Sequence, residues 1–380
     1  MNVAETTITG MMTAELELAA VAAGAPAFRG RQIAQSVYQR GARDWNALTE
    51  LPKSLRETLS KEYSLTPCVI RSASAAPDGT VKYLLDLPDG EVIESVFLPY
   101  PGRTSVCISS QVGCPMACSF CATGTEGLAR NLTAGEIIDQ VLLMQSQHPD
   151  NRITHVVLMG MGEPLLNYAN VLQAVRILNE DVGIAMRHIT LSTVGVVPNI
   201  RKLAEEDLQL TLAVSLHAPN DILRSQLVPL NDKYPIAVLM NACREYTDQT
   251  KRRITFEYVL MAGVNDTEKE AHELGALLKK QPLCAVNTIP YNSTDVAAPY
   301  QRPRPEATHR FREIVASYGV TITQRKERGH RIAAACGQLK RSALKLGSAM
   351  RPLPMLNRSG DAEPHLTGTG LSLVLSDTAG

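Results

Sequence analysis

A chain of 380 residues, 44% of them apolar, is long enough for one core of about 200 to 250 residues with a smaller unit beside it. Its 38 basic and 38 acidic residues balance, so overall charge points to no polyanionic partner, and any nucleic-acid surface has to be a local patch. No apolar run approaches the roughly 18 residues of a membrane span, and MNVAETTITG lacks the features of a secretory leader; eight cysteines in a chain that therefore reads as cytoplasmic suggest ligands, nucleophiles or core residues.

Residues 1–75 read as a small helical domain. In FRGRQIAQSVYQRG, Ile33, Val37 and Tyr38 fall on one helical face, and Leu51-Pro52 interrupts before a second helix. Residues 76–99 read as a β-hairpin linker, because apolar and polar residues alternate on both sides of Asp89-Gly90, a pair favoured in tight turns. Residues 100–340 carry a repeated strand-then-helix rhythm. The strand patterns are TSVCISS, ITHVVLMG, HITLSTVG, LTLAVSLHA, ITFEYVLMAG and CAVNTIPYN, with a further strand-like run at GVTITQR. The helix after the first begins near Leu132, with Thr133 and Glu136 spaced as a capping box.

Six or so successive βα units predict an α/β fold with a parallel sheet, either an open doubly wound sheet or a full or partial barrel, and the expected form is a partial (βα)6 barrel of the TIM type. Such folds do their chemistry at the carboxyl ends of the strands. There the sequence places a cysteine loop, Gly162-Glu163, Ser192, Ser215 with His217, and Asn292. Residues 341–380 mix Pro, Gly, Ser and Thr without periodicity and read as a disordered tail.

The cysteine loop, SSQVGCPMACSFCATGTEG, holds Cys114, Cys118 and Cys121 and then no further cysteine. Three thiolates can hold three irons of a cubane cluster and leave the fourth open to a small molecule. A structural zinc completed by Cys107 or a distant cysteine is the alternative on spacing alone.

The Cys-x3-Cys-x2-Cys spacing, with Phe120 before the last cysteine, resembles the signature of radical S-adenosylmethionine (SAM) enzymes. The phrases CISSQVGC, CATGTEGLARNLT, GMGEPLLNY, STVGVVPNI, SLHAPND, IPYN and AACGQL, in that order, resemble the RlmN/Cfr family of RNA adenine methyltransferases over roughly residues 20–340. The resemblance implies one [4Fe-4S] cluster on Cys114, Cys118 and Cys121, with SAM on its open iron and two SAM molecules used per turnover. It implies SAM contacts at Gly162, Glu163, Ser192, Ser215, Leu216, His217 and Asn292. Cys336 corresponds to the cysteine that is methylated and then joined to RNA through a methylene radical. Cys107 corresponds to the resolving cysteine that forms a transient disulfide with it, and Glu94 to the general base. Cys68, Cys243 and Cys284 have no such context and read as core residues.

The implied substrates are an adenine of 23S rRNA near the peptidyl transferase centre and an anticodon-loop adenine of tRNA, methylated at C2. The implied partners include an electron donor such as flavodoxin or ferredoxin, and a monomer is expected. Basic residues at Lys251, Arg252 and Arg253, at Arg302 and Arg304, and at Arg325, Lys326, Arg328, Arg331, Lys340 and Arg341 are candidate RNA contacts, the last group foremost because it brackets Cys336. The alternatives are C8 methylation of the same rRNA adenine, as in the Cfr branch, a zinc-stabilised RNA-binding module without catalysis, and a radical enzyme acting on a small metabolite.

Overall fold

The structure is a computed structural model that describes residues 6–293, 299–325, 328–329 and 332–339. The expected tail and the basic residues Lys326, Arg331, Lys340 and Arg341 lie outside the described residues. The framework is a ten-stranded mixed sheet. Its strands are β1 (Val69–Ala75), β2 (Val81–Asp86), β3 (Val92–Tyr100), β4 (Arg103–Cys107), β5 (His155–Leu158), β6 (Ile189–Thr193), β7 (Thr211–Ser215), β8 (Ile254–Leu260), β9 (Cys284–Pro290) and β10 (Thr321–Gln324).

Spatial order in the sheet follows chain order throughout. Strands β4 to β10 are parallel, one for each of the seven strand patterns read from the sequence. Between them run helices such as Ala134–Gln147 and Tyr168–Glu180, the long crossovers that parallel pairing needs. Strands β1 to β4 are antiparallel because tight turns join them, with Gly79, Gly90 and Gly102 at positive φ. The expected hairpin is therefore part of a longer meander, and β1, which periodicity did not mark, is its outer strand. The edges β1 and β10 do not meet, so the sheet stays open and no closed barrel forms.

The capping box is present at the predicted residues, and the helix begins two residues later than the predicted start. Helix Ala134–Gln147 begins after Thr133, whose hydroxyl accepts from the Glu136 N–H (3.1 Å) while the Glu136 carboxylate accepts from the Thr133 N–H (2.9 Å). This helix is also the dock for the N-terminal region. A side chain at Gly135 would run into the Thr9 carbonyl, so only glycine permits that approach. Ile33, Val37 and Tyr38 are buried as the helical face requires, and they share one core cluster with the sheet.

One buried ion pair joins the two regions. Arg43 donates to both oxygens of Asp139 (2.6 and 3.0 Å) and to the Cys68 carbonyl (2.8 Å), and the Cys68 N–H donates to Asp139 (2.9 Å). Burial raises the proton affinity of the fully enclosed Asp139, and the Arg43 hydrogen bond opposes that rise. Arg43→Ala is expected to lower unfolding free energy by about 3 kcal/mol, because it leaves a buried charge without its partner. Chemical denaturation is the check, and a loss within the range of an exposed pair, under about 1 kcal/mol, would show that the pin is superficial.

Candidate active site

The cysteine loop is framed by a short antiparallel pair, Gln111–Gly113 with Leu128–Asn131, and closed by the Cys114 N–H donating to the Gly127 carbonyl (2.9 Å). Cys114, Cys118 and Cys121 line one cavity that is open to solvent. Burial pushes the Cys114 thiol up to about 12 and raises those of Cys118 and Cys121 as well. Thiolates at these positions therefore need a cationic ligand to hold them. Among the described residues no three His, Cys, Asp or Glu side chains are grouped to hold one metal ion; a cluster asks for one thiolate on each of several irons.

The rest of the wall comes from strand ends. Gly162, Glu163, Ser192, Ser215, His217 and Asn292 all line the cavity. Gly162 has φ +108°, and a Cβ there would stand 2.7 Å from the Ser110 hydroxyl and from Gln111 Cβ. Glu163 is buried and accepts from the N–H groups of Val194 (2.8 Å) and Leu165 (3.0 Å); burial still pushes its carboxyl up to about 7. His217 is held at positive φ, and its Nδ1 accepts from the Val259 N–H (3.1 Å), which leaves the proton of the neutral ring on Nε2. Burial, with the Arg224 charge behind it, drives this imidazole down to about 3, so it is a neutral donor at any physiological pH. Phe120 packs edge-on against it at 4.7 Å between ring centres. Leu216 does not line the cavity with its side chain, which is in the core; its N–H and carbonyl are bonded to Glu257 and Arg224.

A second cavity, about 520 Å³, lies against the first and contains Cys107. Met159, Ile289, Asn292, Arg325 and Cys336 line both. Cys336 thus stands between the three-cysteine chamber and Cys107. Its loop is tied to the cysteine loop, since the Ala122 N–H donates to the Gly337 carbonyl (2.8 Å) and the Thr123 hydroxyl to the Leu339 carbonyl (2.6 Å). Burial, with Cys336 adding to it and Arg325 opposing, pushes the Cys107 thiol up to about 12. All eight cysteines are free thiols, so the implied Cys107–Cys336 disulfide is not present in this state. Cys68 and Cys243 are buried, and Cys284 is partly so.

Glu94 lines neither cavity. It sits on the same face of β3 as Leu98 and Tyr100, which do line the second, and is buried against Lys82. Two residues of the cavity walls were not placed in them by the sequence reading. Arg325, grouped there with RNA-facing charges, is in the wall of both cavities. Glu257, buried on β8 with Asn287 donating to it (3.0 and 3.3 Å), also faces the first cavity; a lone acid inside the apolar run ITFEYVL was the available signal.

An open α/β sheet with a three-cysteine loop after its first parallel strand defines a radical SAM protein, and a sequence profile of the radical SAM superfamily matches residues 108–275. Residues 6–65 match the ribosomal RNA large subunit methyltransferase N-terminal domain. A probable dual-specificity RNA methyltransferase RlmN from Thermosynechococcus vestitus is 50% identical over 88% of this chain and 98% of its own length. A second, from Trichodesmium erythraeum, is 49% identical over 89% of this chain and 97% of its own. The crystal structure of a radical SAM methyltransferase from Sphaerobacter thermophilus superposes with a TM-score of 0.85 at 49% identity, covering 88% of this chain and 99% of that one. The chain belongs to the RlmN family of dual-specificity RNA methyltransferases.

Membership carries with it SAM and a [4Fe-4S] cluster, and the residues present fit both. Three thiols line one chamber, the donor type that an iron–sulfur cluster takes. Beside them Asn292 Oδ1 is a buried acceptor with no hydrogen-bond partner among the described residues, and His217, whose Nε2–H is a hydrogen-bond donor, lines the same cavity. Among the described residues no helix is long and apolar enough to cross a membrane.

Proposed function

We propose that this chain methylates C2 of an adenine near the peptidyl transferase centre of 23S rRNA and of an anticodon-loop adenine in tRNA, using Cys336 as the methyl carrier. The observation that carries the reading is the placement of Cys336 in the shared wall of the two cavities, with the cluster cysteines on one side and Cys107 on the other. Carbon 2 of adenine lies between two ring nitrogens and is too electron-poor to attack a methyl sulfonium, so a radical route is required. When bound, the cluster and two SAM molecules per turnover supply a methyl group and a hydrogen-abstracting radical.

The protein's own part follows. Cys336 Sγ holds the methyl carbon as a thioether and stays bonded to that carbon while it joins the ring. The adduct gives up one electron to the redox system that supplied it and its ring proton to Glu94, and the Cys107 thiolate then attacks Cys336 Sγ. That attack forms an S–S bond and breaks the S–C bond, and the released carbon takes up a proton to become the new methyl group on the RNA. A thiol reductant must restore both cysteines, and flavodoxin or ferredoxin is the class of donor suited to the cluster. Cys114, Cys118 and Cys121 ligate iron, while Gly162, Glu163, Ser192, Ser215, His217 and Asn292 surround SAM. The N-terminal helices and the basic segments grip RNA, and the chain works as a cytoplasmic monomer.

Nucleoside mass spectrometry of rRNA and tRNA from cells with and without the gene tests the reading. Loss of 2-methyladenosine is the expected result. Loss of 8-methyladenosine instead would transfer the chain to the C8 chemistry, and reconstituted protein holding one zinc and no iron would remove the catalytic reading altogether.

A further inference from the structure

The proton acceptor assigned above, Glu94, is not solvated. Its side chain is 2% exposed, and a carboxylate so enclosed favours the neutral form unless a charge compensates it. Lys82 supplies one: its ammonium is 2.8 Å from Glu94 Oε1 and only 14% exposed itself. The register explains the meeting. Lys82 pairs with Val96 and Leu84 with Glu94, so the two charged side chains project from one face of β2 and β3 on a diagonal.

The same ammonium also reaches the loop that carries Cys336, donating to the Ala333 carbonyl at 3.4 Å. The turn before β2 grips that segment a second time, since the Asp78 carbonyl accepts from Arg328 (2.8 Å) and the Asp78 carboxylate from the Gly329 N–H (3.3 Å). Strand β2 is therefore bonded both to the acid on β3 and to the loop holding the methyl-carrying cysteine.

We propose that Lys82 is a positioning residue for adduct resolution: it keeps Glu94 ionised inside the protein and sets that carboxylate against the Cys336 loop. The inference rests on the reading of Glu94 as the base that acts on a Cys336–RNA adduct. The ion pair does not need to make Glu94 a strong base, because an adduct with a broken aromatic system gives up its proton readily. What it must secure is a carboxylate that carries no proton when the adduct arrives. Among the described residues, the other charged or titratable groups on this side of the sheet include Asp86, diagonal to Glu94 on β2 and paired with Arg71, Tyr100 on β3, Arg103 and Cys107 on β4, Asp78 in the β1–β2 turn, and Arg325, Arg328 and Cys336 from the C-terminal segment.

The test uses the full chain with its cluster reconstituted, an rRNA fragment containing the target adenine, and denaturing gels that separate crosslinked from free RNA. Release is measured between about pH 6 and about pH 8.5 and expressed as a ratio to wild type at each pH, which cancels the response of the remaining groups. In Lys82→Met the adduct should still form. Its release should lag wild type by about tenfold or more at the acidic end, and the gap should close as pH rises, because loss of the ammonium raises the pH at which the buried carboxylate ionises. Lys82→Arg should restore most of the wild-type ratio. A ratio near one at every pH overturns the proposal. A deficit equal at every pH and shared by Lys82→Arg overturns it too, since that is the signature of mere misfolding. Absence of any adduct in Lys82→Met likewise rules out a role confined to resolution. Glu94→Gln separates the layers. If it fails to accumulate adduct, the reading of Glu94 falls and takes the proposal with it; if it accumulates adduct while Lys82→Met stays flat, only the role of Lys82 is lost.

Discussion

Cys107→Ala should leave the enzyme covalently joined to its RNA. The reason is spatial as much as chemical. Cys107 ends β4 with its backbone locked opposite Val96, is 7% exposed, and looks onto the small cavity whose far wall holds Cys336. On the proposed mechanism, RNA joined to Cys336 through a methylene carbon is freed by attack of a second thiolate on Cys336 Sγ. Among the described residues Cys107 is the one other cysteine lining that cavity. Formation of the adduct should proceed, and steady-state turnover should fall by about a hundredfold or more, within the usual range for loss of a nucleophile. The crosslink is read on a denaturing gel and located on Cys336 by peptide mass spectrometry. Prompt release of methylated RNA by this variant would remove Cys107 from the mechanism.

The second large effect is expected at Gly162, where the change is one methyl group. A Cβ at this position would lie 2.7 Å from the Ser110 hydroxyl and from Gln111 Cβ, and 2.8 Å from the Gln111 nitrogen, with φ at +108°. Relief by movement of Gln111 is costly. Its N–H donates to Met161, its side chain accepts from the Glu163 N–H (2.8 Å), and its strand leads directly into Cys114. Gly162→Ala thus displaces the carboxylate at the end of β5 and the first cluster cysteine together. A stability loss of about 2 to 4 kcal/mol is expected from the clash and the strained φ. SAM affinity, measured by equilibrium dialysis on reconstituted protein, should fall by well over about tenfold, since a displacement of about 1 Å at a preorganised site costs more than that. Unchanged affinity would mean that the Gly162–Glu163 turn is not part of the SAM chamber.

Much of the scaffold was legible because its signals are local. Alternation and apolar runs marked each parallel strand, Thr133 and Glu136 announced a capping box, Asp89-Gly90 a tight turn, and the three-cysteine spacing a loop whose thiols line one chamber. The helix Thr13–Ala22 and strand β1 were not legible. The segment TAELELAAVA has no single clean apolar face, and VIRSASA is half exposed at a sheet edge. Their structure is settled by neighbours, through glycine contacts in one case and pairing with β2 in the other.

By itself the sequence determined the order of the strands, the class of the fold and the three thiols at its carboxyl end, all properties of contiguous residues. Only the tertiary structure decided that Cys336 stands between the cluster cysteines and Cys107, that Arg325 belongs to the cavity walls, and that Lys82 and Arg43 each neutralise a buried acid. Most of these relations join residues far apart in the chain, which no local pattern encodes, whereas Lys82 and Glu94 meet across one hairpin; strand register and close helix packing are what bring each set together.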